Sequence, residues 1–565
     1  MRIKHRILRY TLNGIGSNKV SHATSNRRTD VNNSTLVNIP RQRSSGILLP
    51  IFSLPGPHGI GDIGQPAMDF IDFLKKSGQS CWQILPLGPT SPLFGNSPYM
   101  SPSAFAGSPL LISLDVLADL HLVQREELAT PDFSEYTVDY PQVAHHKKTI
   151  LALAWKRFQA QADSGAILEH FAAAHPWCID YGLFLALKEL YQDRPWCAWP
   201  APLRQRRPEA LAQALREHRR AIEYVLFEQY LFFSQWSQLR AHAHRQGIRI
   251  IGDLPIYIAF DSADVWANQE LFQLDNQNGE PTHVAGVPPD YFSATGQRWG
   301  NPLYRWHAEE PRIEHTLWNW WEQRLRLNFF LVDTLRIDHF RGFESYWAVP
   351  VAEQTAMNGC WRQGPGQPFF EEMDRRLGGM SIIAEDLGVI TPEVETLRQN
   401  LGYPGMKILL FAFDGDPLNS YLPYNIEKNS VVYTGTHDND TAVGWFLNPE
   451  VAIERKQRAK LFANRMDDHA GSFHHDMIYL ALSSPANLAV LPLQDVLGFG
   501  NDCRLNTPGV LKNNWQWRCA GRFIHDGVAN WLLDLSTLFG RLPTQGRSQL
   551  TDEACENSGP PAITS

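Results

Sequence analysis

Short apolar runs recur along the chain, separated by longer stretches of helical period. Residues 46–51, 82–87, 248–253, 381–384, 407–413, 431–434 and 489–493 each read as a strand buried on both faces. An eighth run enters through Phe329-Phe330-Leu331-Val332 and continues through Leu335 and Ile337 to Asp338. Between the strands lie amphipathic patterns. Residues 67–77 place Met68, Ile71 and Leu74 on one face, and Gly78 stops them. Residues 392–400 and 450–470 read as further helices. From about 112 to 246 the strand signal vanishes and helical period takes over, most clearly over 209–246, which Gly247 ends.

Eight strands alternating with helices predict an α/β fold, a (β/α)8 TIM barrel, with a large helical insertion (about 112–246) between strands 2 and 3. Little chain follows strand eight, so no C-terminal β-sandwich is expected. The domain reading is a catalytic barrel over 46–543, a basic extension over 1–45 and a disordered tail over 544–565. Two loops stand out. The loop 88–108 is rich in Gly, Pro and Ser and carries Tyr99. The polar loop 275–301 carries Tyr291, Phe292 and Trp299 and reads as a segment covering a substrate, with Trp299 either covering it or anchoring the loop.

Composition narrows the function classes. The net charge of −8 argues against a nucleic-acid partner. Eighteen consecutive apolar residues, the length a membrane span needs, occur nowhere. Seven cysteines without a C-x-x-C pair fit a reducing compartment, with no disulfide framework and no zinc site. The first 44 residues hold nine Lys/Arg and one acid but no secretory apolar core. They read as an organelle transit peptide or a disordered extension. The expected location is the cytoplasm, or the plastid stroma if a transit peptide is present.

Chemistry concentrates where strands end. Thr334-Leu335-Arg336-Ile337-Asp338-His339-Phe340-Arg341-Gly342 turns abruptly from apolar to charged. Glu385 follows the run 381–384, and Asp438 follows 431–434. The carboxyl ends of barrel strands are where ligands and chemistry sit. A carboxylate beside Arg336 should stay ionised, as suits a nucleophile. Separate buried ion pairs would also produce such strand ends, but one shared acidic site accounts for all three together. Asp253 ends strand three, as a turn cap or a substrate contact.

These motifs, residues 336–342, 384–388 and 435–439, together resemble glycoside hydrolase family 77. Its members are the 4-α-glucanotransferases, or amylomaltases and disproportionating enzymes, of the α-amylase clan. Residues 96–99, 252–257, 286–290, 296–302 and 504–509 are similar to further motifs of that family, and the resemblance spans roughly 46–542. It implies retention through a covalent glucosyl-enzyme. Asp338 would be the nucleophile, Glu385 the general acid and base, and Asp438 the stabiliser of the distorted sugar. Tyr99, Asp253, Trp299, Asn301, Arg336 and His437 would bind substrate. No cofactor or metal is implied. The partners would be α-1,4-glucans and glucose as donor and acceptor. An amylase-type α-glucan hydrolase and a non-catalytic glucan-binding protein remain as alternatives.

Overall fold

The computed structural model describes residues 43–289, 293–465, 469–510 and 512–543. The basic extension before residue 43, the tail from 544, Tyr291 and Phe292 all lie outside the described residues.

Among the described residues twelve strands occur in chain order: β1 Ser44–Leu48, β2 Cys81–Gln83, β3 Arg249–Pro255, β4 His283–Val287, β5 Gln297–Pro302, β6 Thr334–Asp338, β7 Ser345–Pro350, β8 Cys360–Gln363, β9 Ile382–Ala384, β10 Gly405–Ile408, β11 Ser430–Tyr433 and β12 Leu488–Pro492. Eight of them close a barrel in the order β1-β12-β11-β10-β9-β6-β3-β2, every pair parallel. Each barrel strand thus neighbours its predecessor in sequence, as repeated right-handed crossovers require. The barrel strands are buried almost throughout, because helices cover one face and the opposite side chains fill the interior. No strand follows β12 among the described residues.

The remaining four strands correct the sequence reading. The stretch 275–301 is not a structureless loop. It contains β4 and β5, which join β7 and β8 in an antiparallel sheet ordered β5-β4-β7-β8. Its strands are short, half-exposed and broken by Gly and Pro, and β4 finds its partner β7 some 60 residues on; no local period marks such a sheet.

Three other boundaries move. Phe329, Phe330 and Leu331 end the helix Pro311–Leu331 and do not begin a strand. The carbonyls of that last turn are met by Arg240, at 2.5 Å from Phe330 O, and by the Trp236 indole, at 2.8 Å from Leu331 O. Asp333 then accepts from Ile250 N at 2.9 Å and sets the start of β6. The run 407–413 leaves β10 at Ile408 for a 3-10 turn, Leu409–Phe411. The helix read over 209–246 is two, Pro208–Glu217 and Arg219–Arg245.

The second of these carries two buried glutamines that place the loop bearing Tyr99. Gln229 pairs its amide with the N–H and C=O of Gly107, at 2.8 and 2.9 Å. Gln235 does the same for Ser113, at 2.7 and 3.1 Å. A buried amide that matches a peptide on both donor and acceptor leaves neither unsatisfied.

The seam between β1 and β12 is locked from below by a buried guanidinium. Arg541 donates to the carbonyls of Leu482 (2.7 Å), Ser44 (2.8 Å), Ala486 (3.2 Å), Ser484 (3.1 Å) and Ala481 (3.3 Å). Burial, together with the neighbouring Arg43, pulls its pKa down to about 9. Replacing it with methionine keeps the volume but strands these carbonyls. We expect Arg541→Met to cost about 3 kcal/mol, read as a lower urea midpoint; an unchanged midpoint would show that the seam does not depend on it.

Candidate active site

Strand register brings the charged ends together. Asp253 on β3 lies beside Arg336 on β6, and Pro255 beside Asp338. Side chains two apart on a strand share a face, so Arg336 and Asp338 point the same way. Arg336 is almost wholly buried, and one of its nitrogens lies 2.8 Å from each oxygen of Asp253 and 3.0 Å from Asp338. Burial opposes its charge, but Asp253 and Asp338 outweigh that and hold it firmly protonated.

Glu385, just past β9, is clamped by backbone. His339 N donates to Oε2 at 2.7 Å and Leu387 N to Oε1 at 2.9 Å. His339 aims its N–H there by adopting a left-handed conformation, φ 54°, uncommon for a residue with a side chain. On the far side, Asp438 accepts from Asn506 at 2.6 Å and lies 3.2 Å from His437 Nε2. Arg504 holds the Asp438 carbonyl at 2.6 Å.

Tyr99 bridges the two halves. Its hydroxyl donates to Asp253 Oδ2 at 2.8 Å and lies 2.8 Å from His437 Nε2. Its ring stacks on the imidazole, centroids 5.4 Å apart.

Exposure separates these groups by role. The Asp253 side chain is 0% exposed and Arg336 4%, whereas Asp338 is 31% exposed and Asp438 39%. Glu385 is also half-buried. The three acids expected to do chemistry are therefore the three left open. Asp253, Arg336 and His437 are closed in beneath them.

The electrostatics differ from the sequence expectation at one point. Arg336 favours the charged form of Asp338, but burial, Asp253 and Asp438 push the other way and raise Asp338 to about 6. Burial raises Glu385 further, to about 7; Arg336 opposes this and the Asp338 charge adds to it. Asp438 goes the opposite way. Burial favours its neutral form, but His437 and the Asn506 hydrogen bond overcome that and depress it. His437 is correspondingly raised, its burial outweighed by Asp438. Near neutrality two carboxylates are thus ionised while Glu385 retains much of its proton.

Trp299 is on β5, half-buried, its ring edge-on to His339 at 4.8 Å. It therefore stands beside the residue that follows Asp338. Asn301 is 5% exposed, and its amide donates to Ile258 O at 2.8 Å and contacts Met100. That placement ties β5 to the segment that follows β3 and to the loop carrying Tyr99. Sequence reasoning gave no role to Arg504, Asn506 or His339; the motif 504–509 was the signal for the first two. Among the described residues, no group of three or more His, Cys, Asp or Glu is arranged to hold a metal ion.

The 4-alpha-glucanotransferase family model of glycoside hydrolase family 77 matches residues 49–523. A 4-alpha-glucanotransferase from Synechocystis sp. is 47% identical over 507 residues, 88% of this chain and 98% of that protein. The chloroplastic/amyloplastic 4-alpha-glucanotransferase of Solanum tuberosum is 41% identical over 511 residues, 89% of this chain and 87% of its own. Amylomaltase from Streptococcus agalactiae, solved in complex with acarbose, has a TM-score of 0.85 at 36% identity, covering 89% of this chain and all of that one.

The raised pair has a consequence for stability. A carboxyl whose folded pKa exceeds its unfolded value, ordinarily about 4, stabilises the fold below that value. That stabilisation is lost as pH rises through the folded values, here about 6 and 7. Asp338→Asn removes one such group and relieves Glu385. We expect it to unfold at a higher temperature than wild type at pH 7.5, with the gap closing below pH 4. A gap that does not change with pH would contradict the electrostatics.

Proposed function

The chain belongs to glycoside hydrolase family 77, the 4-α-glucanotransferases, and we propose that Asp338, Glu385 and Asp438 carry out its reaction by retention. Transfer between α-glucans is the activity of the family and of this protein. The observation that supports the assignment of roles is the order of proton affinities among the three open carboxyls, Glu385 above Asp338 above Asp438.

Asp338, ionised and facing Arg336, attacks the anomeric carbon. The glycosidic bond breaks as Glu385 gives its proton to the departing oxygen. The leaving glucan departs with a free 4-hydroxyl, and the donor remains as an ester on Asp338. An acceptor 4-hydroxyl then gives its proton to Glu385 and displaces Asp338, restoring both groups. Asp438, fixed by Asn506 and His437, stays charged throughout and stabilises the oxocarbenium-like transition state through the ring hydroxyls. Arg336, Asp253 and Tyr99 keep the nucleophile in place from below, and Asn301 positions β5. Trp299 is the aromatic surface offered to a sugar face.

We assign malto-oligosaccharides and glucose as donor and acceptor, and the barrel over 46–543 as one catalytic unit with 112–246 as its structural insertion. The cytoplasm is the proposed location, in keeping with six free cysteines among the described residues. The plastid stroma is the alternative, since the potato relative is chloroplastic/amyloplastic. No helix of the described residues is long and apolar enough to cross a membrane.

Incubation with maltotriose tests the reading. We expect glucose together with a ladder longer than three units at constant total reducing ends, and loss of the ladder by at least roughly a thousandfold in Asp338→Asn. Glucose and maltose with rising reducing ends would mean hydrolysis. Since turnover needs Asp338 ionised and Glu385 protonated, the rate should also rise with pH through about 6 and fall through about 7. A flat profile across that window would reject the role assignment.

A further inference from the structure

A cavity of about 530 Å³ lies where the start of β4, the strand β8 and the segment 269–279 meet. None of the acidic centre's residues lines it. Its volume is that of a site for a small molecule, and its chemistry is unlike that of the centre.

Three guanidinium groups face it: Arg204, Arg305 and Arg362, all half-buried. Each donates only to neutral acceptors. Arg362 meets Gln273 Oε1 and His283 Nε2, both at 2.8 Å. Arg305 reaches Glu270 O at 3.3 Å, and Arg204 reaches Cys197 O and Gln277 O at 3.3 Å. The two acids on the wall are engaged elsewhere. Glu270 takes the fork of Arg312 with both oxygens, at 3.2 and 2.9 Å. Asp275 accepts the backbone N–H groups of Gln277 and Asn278 with one oxygen, at 2.8 and 3.1 Å. Among the described residues none of the three arginines makes an ion pair. Three half-buried guanidinium groups on one cavity wall, none of them in an ion pair, outnumber the two acids there and suit an added anion.

The rest of the wall indicates what carries the anion. Gln205, Asn276 and Gln277 offer amides, which match hydroxyls as donors and acceptors alike. The ring of Phe272 is 2% exposed, so no aromatic face is available there for stacking an uncharged glucan. The space also exceeds what inorganic phosphate alone would fill.

We propose that this cavity binds a small sugar phosphate, the guanidinium groups taking the phosphate and the amides the sugar hydroxyls. The site is independent of the acidic centre, and its test does not rely on the catalytic assignment. Calorimetric titration of the full chain with glucose 6-phosphate should give one binding event. Arg305→Gln and Arg204→Gln should each weaken it at least tenfold while the maltotriose ladder persists. Arg305 makes one long hydrogen bond, so its removal leaves the fold intact, and unchanged circular dichroism checks this. Excess glucose, which the acidic centre takes as acceptor, should leave that heat unchanged, and inorganic phosphate should bind at least tenfold more weakly than the sugar phosphate. No heat with glucose 6-phosphate, binding indifferent to both substitutions, or equal binding of inorganic phosphate would each overturn the proposal.

Discussion

The structure of the barrel mouth depends on one buried charge. Arg336 sits almost out of water, and a guanidinium so placed is tolerated only with full compensation. Asp253 supplies most of it, with both oxygens at 2.8 Å and its own side chain fully closed in. The same nitrogen that meets both Asp253 oxygens lies 3.0 Å from Asp338, so the two carboxylates share it. Were Asp253 absent, Arg336 would bind Asp338 alone and hold it as a quiet ion pair. With Asp253 present, Asp338 has an anion behind the cation it faces, and its charge is only partly stabilised. The nucleophile's role proposed for Asp338 needs that intermediate condition, charged but not satisfied.

The same economy runs through Tyr99. Its hydroxyl, burial having raised its pKa well above the ordinary value, joins Asp253 to His437. His437 in turn holds Asp438 in its ionised form. The two open aspartates therefore share one buried frame but feel opposite consequences of it. Asp338 faces a cation already spent on a neighbour, and Asp438 faces a histidine with one carboxylate to serve. Glu385 stands apart from both, held by two peptide N–H groups that fix its position and only partly offset its burial.

Most of the barrel was legible because its strands are apolar on both faces, a pattern that survives without knowledge of partners. Asp338, Glu385 and Asp438 were legible for a related reason: a charge that interrupts such a run must sit at its end. What escaped was whatever depended on long-range pairing. The β5-β4-β7-β8 sheet has no apolar alternation of its own: β4 and β5 read as a loop from sequence, and β7 and β8 give no strand signal. Phe329-Phe330-Leu331 is apolar in either a strand or a helix, and only the capping by Trp236 and Arg240 decides between them. The electrostatics of Asp338 escaped too, since Arg336 is its neighbour in sequence whereas Asp253, which claims that arginine, is 83 residues away along the chain.

The misread sheet bears on what the acidic centre achieves. In their proposed roles Glu385 and Asp338 treat water and a sugar hydroxyl alike, so the carboxylates would not by themselves favour transfer over hydrolysis. Water is always present, and an acceptor competes only if it is held in line with the ester. Well-oriented groups reach effective concentrations of roughly 10⁵–10⁸ M, far above that of any solvent. Such orientation needs a rigid support, which a mobile polar loop would not give. Trp299 instead projects from a hydrogen-bonded strand, edge-on to His339, while Asn301 two residues further on pins that strand to Ile258 O. On the proposed roles, the sheet is the part of the molecule that makes a transferase out of a glycosidase's carboxylates.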